Sequence, residues 1–262
     1  MAGAVRNNRS TLAEWSRTVL LPVGVAVVFG ILWQIDAEHQ KSSLVIPTVG
    51  QTFSALGHLL FSGGQLWKAL GTSNEALVYA YLIAAVGGVT LGLAAARFRL
   101  LGRLMDPYLD MALAMPEAPL IPLALIAFGI GIVPRVLLII LFAITPIIIN
   151  TRAGVRNVDP QVIEMARSYG ASERQLWLRV LLPGAWPAIM LGLRLGLALA
   201  IDGMIIVELL MVSVGIGNLV MQYRATLEGG LLFATVICVA LEALLLLSLM
   251  RLLERRLTKW AR

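Results

Sequence analysis

The sequence predicts an all-α integral membrane protein of about six transmembrane helices with a two-helix cytoplasmic loop. Three observations carry that expectation. Of 262 residues, 59% are hydrophobic and only 14% are charged, where a soluble domain carries roughly 25% charged residues to wet its surface. The apolar residues gather into stretches of spanning length, a crossing helix needing about 20 residues. Between the stretches lie short segments whose basic residues alternate between many and few along the chain.

Six apolar stretches stand out: Thr18–Ile35, Ala76–Ala96, Leu109–Val133, Val136–Asn150, Pro187–Met211 and Leu231–Met250. Only Pro134–Arg135 separates the third from the fourth, which reads as a tight turn. The first follows Arg6, Arg9 and Arg17 but lacks a small-x-small cleavage site, and Asp36 and Glu38 follow it, so it reads as a retained span rather than a signal peptide. With the N-terminus inside, the inner segments hold Arg6, Arg9, Arg17, Arg97, Arg99, Arg103, Arg152, Arg156, Arg167, Arg174, Arg179, Arg251, Arg255, Arg256, Lys259 and Arg262. The outer ones hold only Lys41, Lys68, Arg135 and Arg224. Basic residues collect on the cytoplasmic side, so both termini are expected there. The chain divides into an N-terminal segment (1–17), a membrane domain (18–250) containing the loop 151–183, and a basic tail (251–262). Between Asp36 and Glu75, Val49, Phe53, Leu56, Leu59 and Leu60 recur near helical spacing. A short helix is expected there, lying on the outer surface or packed on the bundle.

The net charge of +6 is read as membrane orientation, not nucleic-acid binding. The one cysteine, Cys238, has no nearby histidine, and His39 and His58 are isolated. No metal site and no nucleophile with a paired base is expected. The chain also lacks a Gly-x-x-x-x-Gly-Lys-Ser/Thr phosphate loop. An enzyme is therefore not expected.

The segment Thr151–Pro183 is the most informative. Asp159 before Pro160 is a helix start, an acceptor at the cap and proline at the first position. Gly170 ends that helix by adopting positive φ. Ser172 caps a second helix, with Gln175 as capping-box partner, and Pro183 is expected to stop it. Leu176, Trp177 and Val180 share a face that either docks outward or packs under the bundle, and Trp177 also suits a membrane-interface anchor. Glu164 offers a carboxylate to a basic residue of a partner.

Glu164–Met165–Ala166, then Gly170, then Val180 and Leu182–Pro183 resembles the EAA loop of ABC-transporter permeases of the binding-protein-dependent type. That family usually has alanine at the Met165 position and often isoleucine at Val180. The resemblance runs from about Leu44 to Gly217. Ile46–Pro47–Thr48, Pro122–Leu123, Phe128–Gly129–Ile130–Gly131, Gly154–Val155, Gly170–Ala171–Ser172, Gly192–Leu193–Arg194, Glu208 and Gly215–Ile216–Gly217 are similar to the branch importing nitrate, taurine, alkanesulfonates and thiamine precursors. It implies a permease of a bacterial inner membrane working with two ATPase subunits that bind ATP and Mg. It further implies a second permease copy and a periplasmic or lipid-anchored binding protein. Glu164, Met165, Ala166, Gly170, Ala171, Ser172, Leu176, Trp177 and Pro183 would then couple to the ATPase. A passive channel or a membrane scaffold shares the span count, but a channel needs no capped two-helix loop.

Charged residues inside spans are functional candidates by default. Glu117 sits among Pro116, Pro119 and Pro122, a proline density that breaks the helical ladder. Such breaks are tolerated where they line a cavity. Pro116, Glu117, Pro119, Asp202 and Glu208 are the pathway candidates. The other reading is a plain kink at Glu117 and structural roles for Asp202 and Glu208. Arg194 and Glu242, at similar depth on consecutive spans, are expected to pair. Gly87, Gly88 and Gly92, and Gly192, Gly196 and Ala200, form small-residue faces for close helix packing, one of them a candidate permease–permease contact.

Overall fold

The computed structural model describes residues 23–25, 27–39, 46–61, 64–211 and 214–257. Among them the fold is all-α: α1 (27–39), α2 (Val49–Phe61), α3 (Gln65–Arg97), α4 (Arg99–Ala114), α5 (Leu120–Phe128), α6 (Ile132–Arg156), α7 (Pro160–Ser168), α8 (Glu173–Leu176), α9 (Leu182–Met211), α10 (Gly215–Ala225) and α11 (Gly229–Leu257). The chain forms two compact units. The first comprises residues up to Gly63 with Gln222–Val236, the second Gly64–Met221 with Ile237–Arg262.

In the first unit, Trp33 donates its indole N–H to the Pro47 carbonyl at 3.0 Å, and Gln34 Oε1 accepts from the Val49 N–H at 3.1 Å. These bonds satisfy the start of α2. Trp33 also stacks on Phe233 at 5.5 Å. The expected short helix at Val49–Leu60 is α2.

In the second unit, α6 lies between α3 and α9. Glycines set the spacing. A Cβ on Gly88 or Gly196 would stand 2.7 or 2.6 Å from Ile147, one on Gly92 2.7 Å from Thr151, and one on Gly203 2.6 Å from Phe142. Backbones this close gain dispersion contacts that large side chains would prevent. The small-residue faces of α3 and α9 are thus filled by α6, which removes them as candidates for a permease–permease contact. Ala80, Ala84, Ile139, Ala143, Ile147, Leu197 and Met204 complete this core.

Four described helices are long and apolar enough to cross a membrane: α3, α6, the run Glu173–Met211, and α11. The first expected span, Thr18–Ile35, lies partly outside the described residues. The third, Leu109–Val133, is not continuous. Met115 is extended (ψ 126°) because Pro116 follows it, which ends α4, and α5 begins only at Leu120. The expected turn at Pro134–Arg135 is also displaced. The chain reverses at Gly129–Gly131, where Gly129 adopts φ 73°, and Pro134 and Arg135 sit in the first turn of α6. Proline there loses no hydrogen bond, its N–H being unpaired in any helix's first turn.

Candidate functional site

The segment after α6 forms the caps that the sequence predicts. Asp159 Oδ1 accepts from the Gln161 N–H at 2.9 Å with Pro160 at the first helical position. At the other end of α7, Gly170 adopts φ 76°, its N–H bonds to the Arg167 carbonyl at 2.9 Å, and the Ala171 N–H reaches back to Ala166 at 3.1 Å. This paired closure satisfies the last carbonyls of the helix. Ser172 and Gln175 then exchange side-chain and backbone bonds of 3.3 and 2.9 Å, a complete capping box. Every turn of the elbow is therefore specified locally.

Two expectations for this segment change. Its start at Thr151 falls inside α6, which runs on to Arg156. Pro183 does not end the second helix. A π-turn over Trp177–Leu181 follows α8, with the Leu182 N–H bonded to the Trp177 carbonyl, and α9 begins directly at Leu182. A proline clashes with the carbonyl four residues back and leaves it unpaired. The widened turn just before Pro183 shifts those carbonyls and lets the helix continue. The second loop helix is thus the end of a membrane-length helix.

The apolar face of that arm points inward. Leu176 is buried with Val155, Leu181, Ala185 and Ile189, while Trp177 and Val180 pack partly against them. Burying a leucine contributes about 1.5–3 kcal/mol, enough to seat the arm under the bundle. Arg97, the last residue of α3, lies 5.6 Å over the Trp177 ring and 3.9 Å from Glu173. The exposed apolar face of the loop belongs instead to α7: Val162, Met165 and Tyr169, three and four residues apart, all project outward. Glu164 is exposed beside them, and Ala166 is half-buried against the Leu176 cluster.

The intramembrane candidates separate. Glu208 is 2% exposed. Its carboxylate pairs with Arg135 and accepts from the Ser73 hydroxyl at 2.7 Å and the Gly217 N–H at 3.2 Å. The Ser73 oxygen in turn accepts the Ile216 N–H at 2.9 Å, and Arg135 also donates to the Thr72 carbonyl at 3.2 Å. The network ties α3, α6, α9 and the start of α10, and it removes Glu208 from the pathway candidates. Arg194 and Glu242 do not share a network as expected. Arg194 pairs with Glu254 at 3.0 Å, and Glu242 accepts from Asn74. Equal depth was the only warrant for the pair, and it does not hold: Glu254, the partner of Arg194, stands about 18 Å along α11 from Glu242. Glu117 is half-buried in the break between α4 and α5, flanked by exposed Pro116 and Pro119. Asp202 is exposed on α9 between buried Ile201 and Gly203. At the α7 end, Arg152 holds Asp106 in a two-pronged pair, which keeps the Asp106 carboxyl below the usual carboxylate range.

Sequence reasoning missed Arg135, Ser73 and Asn74. Arg135 carried the signal, being a charge between two strongly apolar runs, but it was placed in a turn and counted as an outer residue. Ser73 and Asn74 carried none, because polar residues near the end of a span are ordinary.

The described residues thus form a multi-pass helical membrane protein with an elbowed loop rooted in a spanning helix. The chain belongs to the family described as binding-protein-dependent transport system inner membrane component, whose model matches residues 88–259. It is 34% identical to the aliphatic sulfonates transport permease protein SsuC of Bacillus subtilis over 94% of this chain and 88% of that protein. Identity to the taurine transport system permease protein TauC of Escherichia coli is 32%, over 94% of this chain and 91% of that protein. In fold it resembles a chain of the inward-facing MetNI methionine ABC transporter, with a TM-score of 0.60 at 18% identity, covering 77% of this chain and all of that one. The protein is therefore a translocation subunit of an ATP-driven importer and not itself an enzyme. Importers of this kind work with ATPase subunits and a substrate-binding protein.

Proposed function

We propose that this chain pairs with a second permease copy, recruits two ATPase subunits that bind ATP and Mg, and passes a small sulfonate-like solute inward from a binding protein. The α7–α8 end and both termini are cytoplasmic in this reading, in line with the basic residues at Arg97, Arg152, Arg156, Arg251 and Arg255. Residues 151–183 act as the coupling segment of the membrane domain 18–250, and 1–17 and 251–262 flank it.

The observation that carries the reading is the continuity of α8 with α9. An arm that is the end of a spanning helix moves with that helix, where a flexible loop absorbs displacement. The Gly170 elbow fixes α7 against the arm and leaves Val162, Glu164, Met165 and Tyr169 exposed to an ATPase surface. Ala166, Gly170, Ala171, Ser172, Leu176, Trp177 and Pro183 shape the segment that presents Met165 and its neighbours. The sulfonate class rests on the two relatives' substrates.

The test is uptake of ethanesulfonate and 2-aminoethanesulfonate into proteoliposomes holding the full complex with its binding protein. ATP-dependent accumulation of either is expected. Hydrolysis stimulated by the binding protein without uptake of either solute overturns the substrate class. Failure of the ATPase to co-purify with the permease overturns the assembly.

A further inference from the structure

Of the four membrane-length helices, α11 is the least buried. Two polar straps hold it to its neighbours. Glu242 accepts from the Asn74 amide on α3, and Glu254 pairs with Arg194 on α9 at 3.0 Å. The straps lie about 18 Å apart along α11. Between them α11 is rich in leucine and has no glycine, so it cannot come as close as α6 comes to α3 and α9. A crevice of about 200 Å³ remains between α3, α9 and α11.

Leu77, Leu197 and Met250 line the crevice as buried residues, and Val78, Leu249 and Leu253 form its exposed rim. Its two polar side chains spend their donors inside the protein. Asn74 donates to Glu242 and to the Leu70 carbonyl at 2.9 Å, and the Tyr81 hydroxyl donates to the Leu193 carbonyl at 3.0 Å. The rim opens at the depth of the spanning helices, where an unfilled gap forfeits dispersion contacts along every wall. On α11 the lining runs from Leu246 to Leu253, about 10 Å. Over that length the volume gives a cross-section of about 20 Å², room for one methylene chain. An α-helix about 10 Å across needs roughly four times that area, so neither a second copy nor another span fits inside.

The α11 stripe of Leu246, Leu249 and Leu253 continues three residues on at exposed Arg256. Leu246 to Arg256 is about 15 Å, which is half of a hydrocarbon core of about 30 Å, the depth of one leaflet. A lipid chain ending at Leu246 therefore carries its phosphate to a guanidinium. Arg251 and Arg255 are exposed on the adjoining turns, and basic clusters at this level favour anionic headgroups. The one nearby carboxylate, Glu254, is offset by Arg194. We infer that the crevice binds one acyl chain of an anionic phospholipid whose phosphate sits at Arg256. The lipid fills the gap that the two straps hold open.

The test is native mass spectrometry of the full complex, delipidated in detergent and titrated with phosphatidylglycerol or with phosphatidylcholine of the same chains. Wild type is expected to retain about fivefold more phosphatidylglycerol. Leu249→Trp fills the crevice from its rim and should remove that retained lipid. Leu244→Trp, the same enlargement at an exposed α11 position outside the crevice, should keep it. Arg256→Gln should bring phosphatidylglycerol down to the level of phosphatidylcholine, and Arg256→Lys should preserve the difference. Equal retention by the two tryptophan variants overturns the inference, as does a lipid preference unchanged in Arg256→Gln. A second measurement covers a Leu249→Trp variant that fails to assemble. Photoreactive benzoylphenylalanine in place of Val78 should crosslink to phospholipid several-fold more than the same group in place of Leu244. Equal yields at the two positions overturn the inference, and so does crosslinking of the Val78 position to protein, which assigns the crevice to a second copy or to another segment of this chain.

Discussion

Arg135 and Glu208, 73 positions apart in sequence, form an ion pair buried to 4% and 1% side-chain exposure. It joins the first turn of α6 to the far end of α9, at the opposite end of these helices from α7. Two charges withdrawn from water need bonds to their remaining groups; Ser73, Gly217 and Thr72 supply three, while the Arg135 Nε–H stays without a partner among the described residues. The start of α10 is fitted to the carboxylate: a Cβ on Gly215 would stand 2.5 Å from Glu208 Oε1.

Removing one partner leaves the other charge buried and alone, a loss of about 3–5 kcal/mol. Arg135→Met and Glu208→Leu should each lower the thermal midpoint of the purified complex by many degrees. The double variant should recover much of that loss, because no lone charge remains. Additive losses in the three variants count against a direct pair.

Gly170 tests the elbow by conformation alone. No atom lies within 4 Å of a Cβ built there, so space is not limiting, and φ 76° is the constraint. A β-branched residue is a true outlier at that angle, while asparagine tolerates it. Gly170→Val should abolish ATP hydrolysis stimulated by the binding protein with membrane insertion intact, and Gly170→Asn should retain most of it. Equal behaviour of the two variants would exclude the positive φ as the cause.

The exposed α7 face gives a prediction about docking. Met165→Asp and Tyr169→Asp place charge on an exposed apolar stripe, and Glu164→Lys reverses the carboxylate beside it. Each should reduce recovery of the ATPase with the permease several-fold at unchanged permease yield. Gln222→Ala, on an exposed residue of α10, is the control. Undiminished co-purification in all three variants moves the docking surface elsewhere.

Local chemistry was legible in the sequence, and tertiary pairing was not. Asp159–Pro160, Gly170 and Ser172–Gln175 specify their caps within a few residues, so spacing sufficed to read them. The apolar runs likewise mark α3, α6, α9 and α11, though not their ends, because Gln65–Glu75 is polar enough to look like loop and still extends α3. What failed needed distance. Pro183 reads as a stop until the π-turn before it is known. Leu176 and Trp177 have an apolar face whichever way the arm is turned. Arg194 meets Glu254 rather than Glu242 because axial offset between neighbouring helices, which the ends of apolar runs fix poorly, decides partners. Arg135 was read as a turn residue because a proline precedes it, and proline marks a helix's first turn as readily as a loop.

The remaining carboxylates predict how the pathway treats charge. With Glu208 sequestered, Glu117 and Asp202 are the charged pathway candidates left beside Pro116 and Pro119. Asp202 projects from α9 between buried neighbours, and a bare carboxylate at a spanning helix's lipid face is costly enough that such residues face water or protein instead. Glu117 sits where α4 gives way to α5, a break of the kind tolerated beside a cavity. If both border the solute's route, each attracts an ammonium group and repels a sulfonate. Glu117→Gln and Asp202→Asn should therefore slow uptake of 2-aminoethanesulfonate several-fold relative to ethanesulfonate, whose uptake should hold or rise. Comparing initial rates of both solutes in the same proteoliposomes cancels differences in insertion and coupling. A loss by one common factor for both solutes would assign these carboxylates to structure and leave the route uncharged at this depth.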